Sequence, residues 1–92
     1  MLERRTIARA ALAELKRRMK IRSVVSSRWE RTDGLGDCVR VNQVAETVAR
    51  ALDLDLGWPL RRQVAATCAD LGFTRTTTRA HITYYRRMRA RS

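Results

Sequence analysis

Residues 58–92 read WPLRRQVAATCADLGFTRTTTRAHITYYRRMRARS, and this stretch decides the fold. Pro59 suits the first position of a helix, where its fixed φ is helical and no amide hydrogen is needed. Leu60, Val64, Cys68 and Leu71 then recur at spacings of three and four, the inward face of a helix running to about Leu71. Arg61, Arg62, Gln63, Thr67 and Asp70 are left free of that face. Gly72 stands where a helix ends on a left-handed residue. From Phe73 onward threonine, isoleucine and tyrosine favour strands, with a turn near Thr77 to Arg79. No acidic residue follows Asp70, whereas Arg75, Arg79, Arg86, Arg87, Arg89 and Arg91 do. The stretch predicts a helix, then two short strands around a basic hairpin tip.

Asp53 to Trp58 connects this helix to an earlier one over about 43–53. Asn42 is its expected N-cap, and Glu46 is placed in the first turn, where the helix dipole favours an acid. Val44, Ala45, Val48, Ala51 and Leu52 form its buried stripe. Val39-Arg40-Val41 alternates over a length that allows one strand of a small sheet. Thr32-Asp33-Gly34-Leu35-Gly36-Asp37 is a loop, and Asp33 and Asp37 are turn formers within it. Ile21, Val24, Val25 and Trp29 predict a helix over about 21–31. A strand at 22–29 and a helix continuous with the preceding one both stay open.

Residues 2–20 form a basic helix with Ile7, Ala8, Ala11, Leu12, Leu15 and Met19 on one stripe and Arg4, Arg5, Arg9, Lys16, Arg17 and Arg18 around it. The stripe has too few heptads to assert a coiled coil. Three roles stay open for it: a dimerisation arm, a second DNA-contacting element, or a cover for the core. Trp29, Trp58 and Phe73 are expected core anchors, and Cys68 is a small core residue. Of Tyr84 and Tyr85, which alternate on a strand, one is expected inside and one outside. His81 is expected on a strand, exposed or facing phosphate. The chain divides into a basic amphipathic helix at 1–20, a folded domain at 21–86 and a basic tail at 87–92.

The 92 residues suffice for one small core, and an apolar share of 45% is that of a folded chain. The net charge of +11 calls for a polyanionic partner. It is segregated: residues 1–22 hold eight basic and two acidic side chains, 23–60 four and six, and 61–92 eight and one. Only Lys16 and Lys20 of the twenty basic residues are lysines. Arginine forks suit phosphates and guanine edges better than an ammonium does. No apolar run reaches membrane-spanning length, and the charged N-terminus lacks the apolar core of a secretory signal. The two cysteines make no disulfide framework, so a cytoplasmic, nucleoid-associated setting is expected.

The order helix, short strand, helix, helix, strand, strand is that of a winged helix-turn-helix. The expected fold is therefore mainly α (small α+β), with a short β-wing and a basic N-terminal helix in front. In such docking the first turn of the second helix enters the major groove, where Arg reads guanine and Gln reads adenine. The candidate DNA-binding residues are Arg61, Arg62, Gln63 and Thr67 on that helix, Arg75, Thr76, Thr77, Thr78 and Arg79 on the wing, and Arg86, Arg87 and Arg89 after it. Cys38, Cys68 and His81 lack paired ligand spacing, so no metal site is expected. No phosphate loop, catalytic triad or local nucleophile signature occurs, so neither cofactor nor catalysis is expected.

From about Val24 to Tyr85 the chain resembles the winged-helix module at the C-terminal end of phage and plasmid primase-helicases. The matching pieces are Asp33 to Val41, Val44 to Leu52, Leu71-Gly72-Phe73 and Arg75 to Tyr85. The resemblance implies a mobile-element or phage DNA-binding protein acting in replication or transcriptional control. The expected partner is double-stranded DNA, with a homodimer through the N-terminal helix allowed by its stripe. Two rival functions stay open: an RNA- or ribosome-associated protein, and a protein-interaction adaptor that binds or inhibits a host complex.

Overall fold

The computed structural model describes residues 2–91, with side chains from Ile7 onward. Expectations for Met1, for Ser92 and for the Arg4 and Arg5 side chains lie outside the described residues. The elements run α1 (Leu2–Arg28), β1 (Trp29–Arg31), β2 (Cys38–Arg40), α2 (Val41–Leu52), α3 (Trp58–Asp70), β3 (Thr74–Thr77), β4 (Thr83–Arg86) and β5 (Met88–Ala90). Among the described residues three helices and two small antiparallel sheets make one α+β unit.

The helices expected at 2–20 and 21–31 are one continuous α1, because nothing between them breaks a helix. Its 27 residues span about 40 Å at the standard rise, so it reaches most of the way along the 53 Å long axis of the molecule. The C-terminal half buries Ile21 and Val25, with Val24 packed beside them. The N-terminal half buries little: Ile7, Leu12, Leu15 and Met19 are 51–68% exposed. Leu12, Leu15 and Met19 lie about a third of a turn round the helix from Ile21 and Val25, so the contact that holds α1 leaves them largely exposed.

Strand β4 continues past Arg87 into β5, and the two form one kinked strand. It pairs first with β2, through Cys38↔Arg86, Val39↔Tyr85 and Arg40↔Tyr84. It then pairs with β1, through Trp29↔Ala90, Glu30↔Arg89 and Arg31↔Met88. Arg87 takes a left-handed φ of 55° at the kink. Its amide donates to the Asp37 carbonyl at 2.9 Å and its carbonyl accepts from Thr32 at 3.0 Å, so the 32–37 loop bulges from an otherwise unbroken ribbon. Within the loop Thr32 Oγ1 donates to Asp37 Oδ2 at 2.9 Å and accepts from the Gly34 amide at 3.1 Å. A Cβ on Gly34 would overlap the Asp37 carboxylate. On the other side β4 pairs with β3, giving the sheet order β2-β4-β3.

The stretch expected as a free tail is therefore largely structural. Met88 is fully buried. Arg91 closes the end of α1: its amide donates to the Arg28 carbonyl at 2.9 Å and its Nε to the Ser26 carbonyl at 2.6 Å. Glu30 receives Arg89 at 2.9 Å and Arg91 at 3.6 Å.

Helix α2 starts two residues earlier than its sequence suggests. Arg40, not Asn42, is the N-cap, no side chain caps the turn, and Glu46 falls beyond the first turn. Asp53 ends α2 with a left-handed φ of 52°, and the Leu54 amide bonds back to the Ala49 carbonyl at 2.9 Å. Helix α3 ends the same way at Gly72, φ 88°. There Phe73 bonds to the Cys68 carbonyl and Gly72 to that of Ala69, both at 3.0 Å.

The core gathers Ile21, Val25, Trp29, Val39, Val44, Val48, Leu60, Val64, Cys68, Phe73, Tyr85 and Met88. Ala51, expected inside, is exposed. Tyr85 is the buried member of its pair, and Tyr84 lies half-buried on the outer face. The Tyr85 hydroxyl lacks a partner in hydrogen-bonding geometry, its neighbour being the weakly interacting Cys68 thiol. Burial pushes the Cys68 thiol from its ordinary 9.0 up to about 11. Burial, with the Cys68 thiol beside it, likewise raises the Tyr85 phenol. The folded state thus holds the Cys68 proton more tightly than the unfolded chain does. Its stabilisation is whole below pH 9 and is lost as pH rises toward about 11. Urea-unfolding midpoints should fall across that window, and Cys68→Ala should make the fall shallower; equal slopes would contradict the assignment.

Candidate nucleic-acid interface

The first turn of α3 is built by Gly57-Trp58-Pro59. Gly57 is the extended N-cap, with φ −108° and ψ 178°, and offers no side-chain acceptor. Its carbonyl accepts the Arg61 amide at 3.0 Å, which starts the helix. Leu60, Val64, Thr67 and Cys68 face the core, which turns Trp58, Arg61, Arg62 and Ala65 outward together.

These four residues form one wall of a groove of about 650 Å³. The start of α2 supplies Arg40, Val41 and Asn42, and the β3–β4 hairpin supplies Arg75, His81, Ile82 and Thr83. Arg61 is fixed across the groove floor by donating to Asn42 Oδ1 at 2.8 Å. The Arg40 guanidinium carbon lies 6.0 Å from the Tyr84 ring centroid, within cation–π range. Arg75 stands opposite Tyr85 in the ladder and so shares its face of the sheet.

The hairpin turns over 78–82 rather than 77–79. Thr78 donates its amide to the Ile82 carbonyl at 2.9 Å and accepts from His81 at 3.0 Å. His81 sits in this turn with φ 60°, not on a strand. The Thr77 and Thr83 hydroxyls meet at 3.2 Å across the hairpin stem.

Four arginines therefore line the groove, and among the described residues no carboxylate does. Among the described residues the ion pairs join Glu14 to Arg18 and Glu30 to Arg89 and Arg91, all elsewhere. Both α2 and α3 begin without a side-chain cap or a first-turn acid. Their free amides add partial positive charge beside the arginines. The arrangement can hold phosphates and present guanidinium forks to base edges.

Of the expected site residues, Arg61, Arg62 and Arg75 come together in the groove. Gln63 and Thr67 do not. Thr67 is 7% exposed and donates its hydroxyl to the Gln63 carbonyl at 2.8 Å. It lies on the α1 side of α3, with Leu15 and Met19. Gln63 is half-buried and its Oε1 has no partner. Thr76, Thr77, Thr78 and Arg79 occupy the hairpin beyond the groove lining, with Arg79 exposed at its tip. Arg86 is exposed on the outer face of β4, Arg87 is exposed at the kink and Arg89 is engaged with Glu30.

Sequence reasoning missed Arg40, Asn42, Trp58, Ile82 and Thr83 as groove residues. Trp58, expected in the core, is 74% exposed. It precedes Leu60 by two residues, and that spacing alone sets it on the opposite side of the helix. Comparison of the chain with family models, with curated protein sequences and with solved structures returned no match.

Proposed function

We propose that this chain is a winged helix-turn-helix protein that binds double-stranded DNA without catalysis, as a transcriptional regulator or replication accessory factor of a phage or mobile element. The reading rests on the groove, which among the described residues holds four arginines and no acid. Element order and the β2-β4-β3 sheet support α2 and α3 as the helix-turn-helix and β3–β4 as the wing. Arg61 and Arg62, in the first two turns of α3, have the position from which a recognition helix reads base edges. Arg40 and Arg75 flank it, where phosphate contacts fix register.

The test is fluorescence anisotropy over a salt series, with random duplex, duplex from around the chain's own gene and structured RNA as competitors. A duplex complex that survives about 150 mM salt and resists RNA is the expected result. Displacement by RNA at equal concentration would favour the RNA-binding rival. Loss of all binding would favour the protein-docking one.

The exposed α1 stripe supports a second contact, a homodimer through the N-terminal helix, which would set two recognition helices on one duplex. The wild type should then sediment at twice its 10.6 kDa, and Leu12→Glu with Leu15→Glu should yield folded monomer. A wild type that stays monomeric at all concentrations would remove this contact.

A further inference from the structure

Of the five aromatic residues, Trp58 alone is exposed: Trp29, Phe73 and Tyr85 are buried and Tyr84 is half-buried. At 74% exposure, Trp58 leaves a large flat apolar surface in water, which is unfavourable without a partner. Its backbone is helical: Trp58 opens the first turn of α3, after the extended N-cap Gly57 and before Pro59.

Its surroundings say what the partner is. The groove that Trp58 lines holds Arg40, Arg61, Arg62 and Arg75. A ligand matching both features carries dense negative charge and a flat aromatic face, which describes a nucleic-acid strand. In an intact duplex each base is covered above and below by its neighbours, and the grooves show only edges. An indole gains most by lying against a base face, and such a face is free only where pairing is interrupted.

We propose that Trp58 forms a base-stacking subsite at the α3 end of the groove, which takes an unpaired nucleobase beside duplex. The preferred ligand of the groove is then a junction between single- and double-stranded nucleic acid, or a locally opened duplex. This rests on the nucleic-acid reading of the groove and deepens it. The arginines hold the flanking phosphates, and the indole selects the site where a base is free.

The experiment compares two probes of equal length and charge, a fully paired duplex and the same duplex with a short central run of mismatches. Each is titrated into wild type, Trp58→Phe and Trp58→Ala, with binding read by anisotropy and tryptophan emission recorded in parallel. Wild type should prefer the mismatched probe. Trp58→Ala should cut that preference about tenfold, and Trp58→Phe should keep most of it. Quenching on the mismatched probe should vanish in Trp58→Phe, which retains only the buried Trp29. Binding of both probes with equal losses, or without change in emission, would overturn the stacking subsite while leaving the arginine groove in place. Failure to bind either probe at low salt would overturn both.

Discussion

Arg61→Ala, Arg62→Ala and Arg75→Ala together should lower affinity for duplex DNA about 100-fold or more near physiological salt. Each arginine removed from a base or phosphate contact costs about 1–3 kcal/mol, and the three lie in one groove that no carboxylate lines among the described residues. The salt dependence should flatten as well. Losing up to three phosphate contacts lowers the slope of log K against log salt by up to about three. If α3 is the recognition helix proposed above, Arg61→Ala or Arg62→Ala alone should also relax sequence preference, because such a helix reads base edges from its first turns. The fold should survive, since Arg62 and Arg75 are exposed and Arg61 forms one hydrogen bond with an exposed Asn42. Arg86→Ala with Arg87→Ala is the comparison: both side chains are exposed outside the groove lining, so their loss should weaken all duplexes alike and by less. Equal, sequence-independent losses from the two sets would remove α3 from the recognition role.

Ending the chain at Arg86 should act on the fold rather than on binding. The deletion removes Met88, which is fully buried, strips β1 of its partner strand and uncaps α1 at Ser26 and Arg28. Losing a buried methionine side chain costs about 2–5 kcal/mol, against a total stability of about 5–15 kcal/mol for a domain of this kind. The melting temperature should fall by about 20 °C, or cooperative unfolding should vanish. Met88→Leu, which conserves volume, should restore most of the loss seen with Met88→Ala. Circular dichroism melts check all three. A truncated chain melting within about 5 °C of the full one would mean that the last strand is an ornament on the fold.

The two helices that frame the groove were legible in the residues because each carries a clear inward stripe and a clear end. Val44, Ala45 and Val48 fall inside, as do Leu60, Val64 and Cys68, and Gly72 stops α3 on a left-handed residue. The pairing of β1 with β5 was not legible. Three-residue strands such as Trp29–Arg31 and Met88–Ala90 have no period to read, and their partners lie 57 to 61 residues apart. A run of arginines from 86 to 91 therefore looked like a solvated tail, although Met88 and the Glu30 contacts bind it down.

The site was legible in part. Arg61, Arg62 and Arg75 could be named because they stand on elements whose inward faces were already assigned. Gln63 and Thr67 misled, because sequence shows which residues lie off the main stripe but not where α1 crosses the back of α3. Arg40 and Asn42 were hidden because their approach to α3 is a tertiary contact. Trp58 was misassigned by residue type, aromatic rings being core residues more often than not, although its spacing from Leu60 pointed outward.

In the proposed complex, nucleic acid binds between the start of α3 and the β3–β4 hairpin. Amide chemical-shift mapping on the full chain, titrated with duplex DNA at moderate salt, tests it most directly. The largest changes should fall at Arg40 to Asn42, Trp58 to Ala65, Arg75 and His81 to Thr83, with α1 from Ile7 to Met19 and the β1–β5 pair unmoved. Changes concentrated on the α1 stripe, or spread evenly over every basic residue, would contradict it.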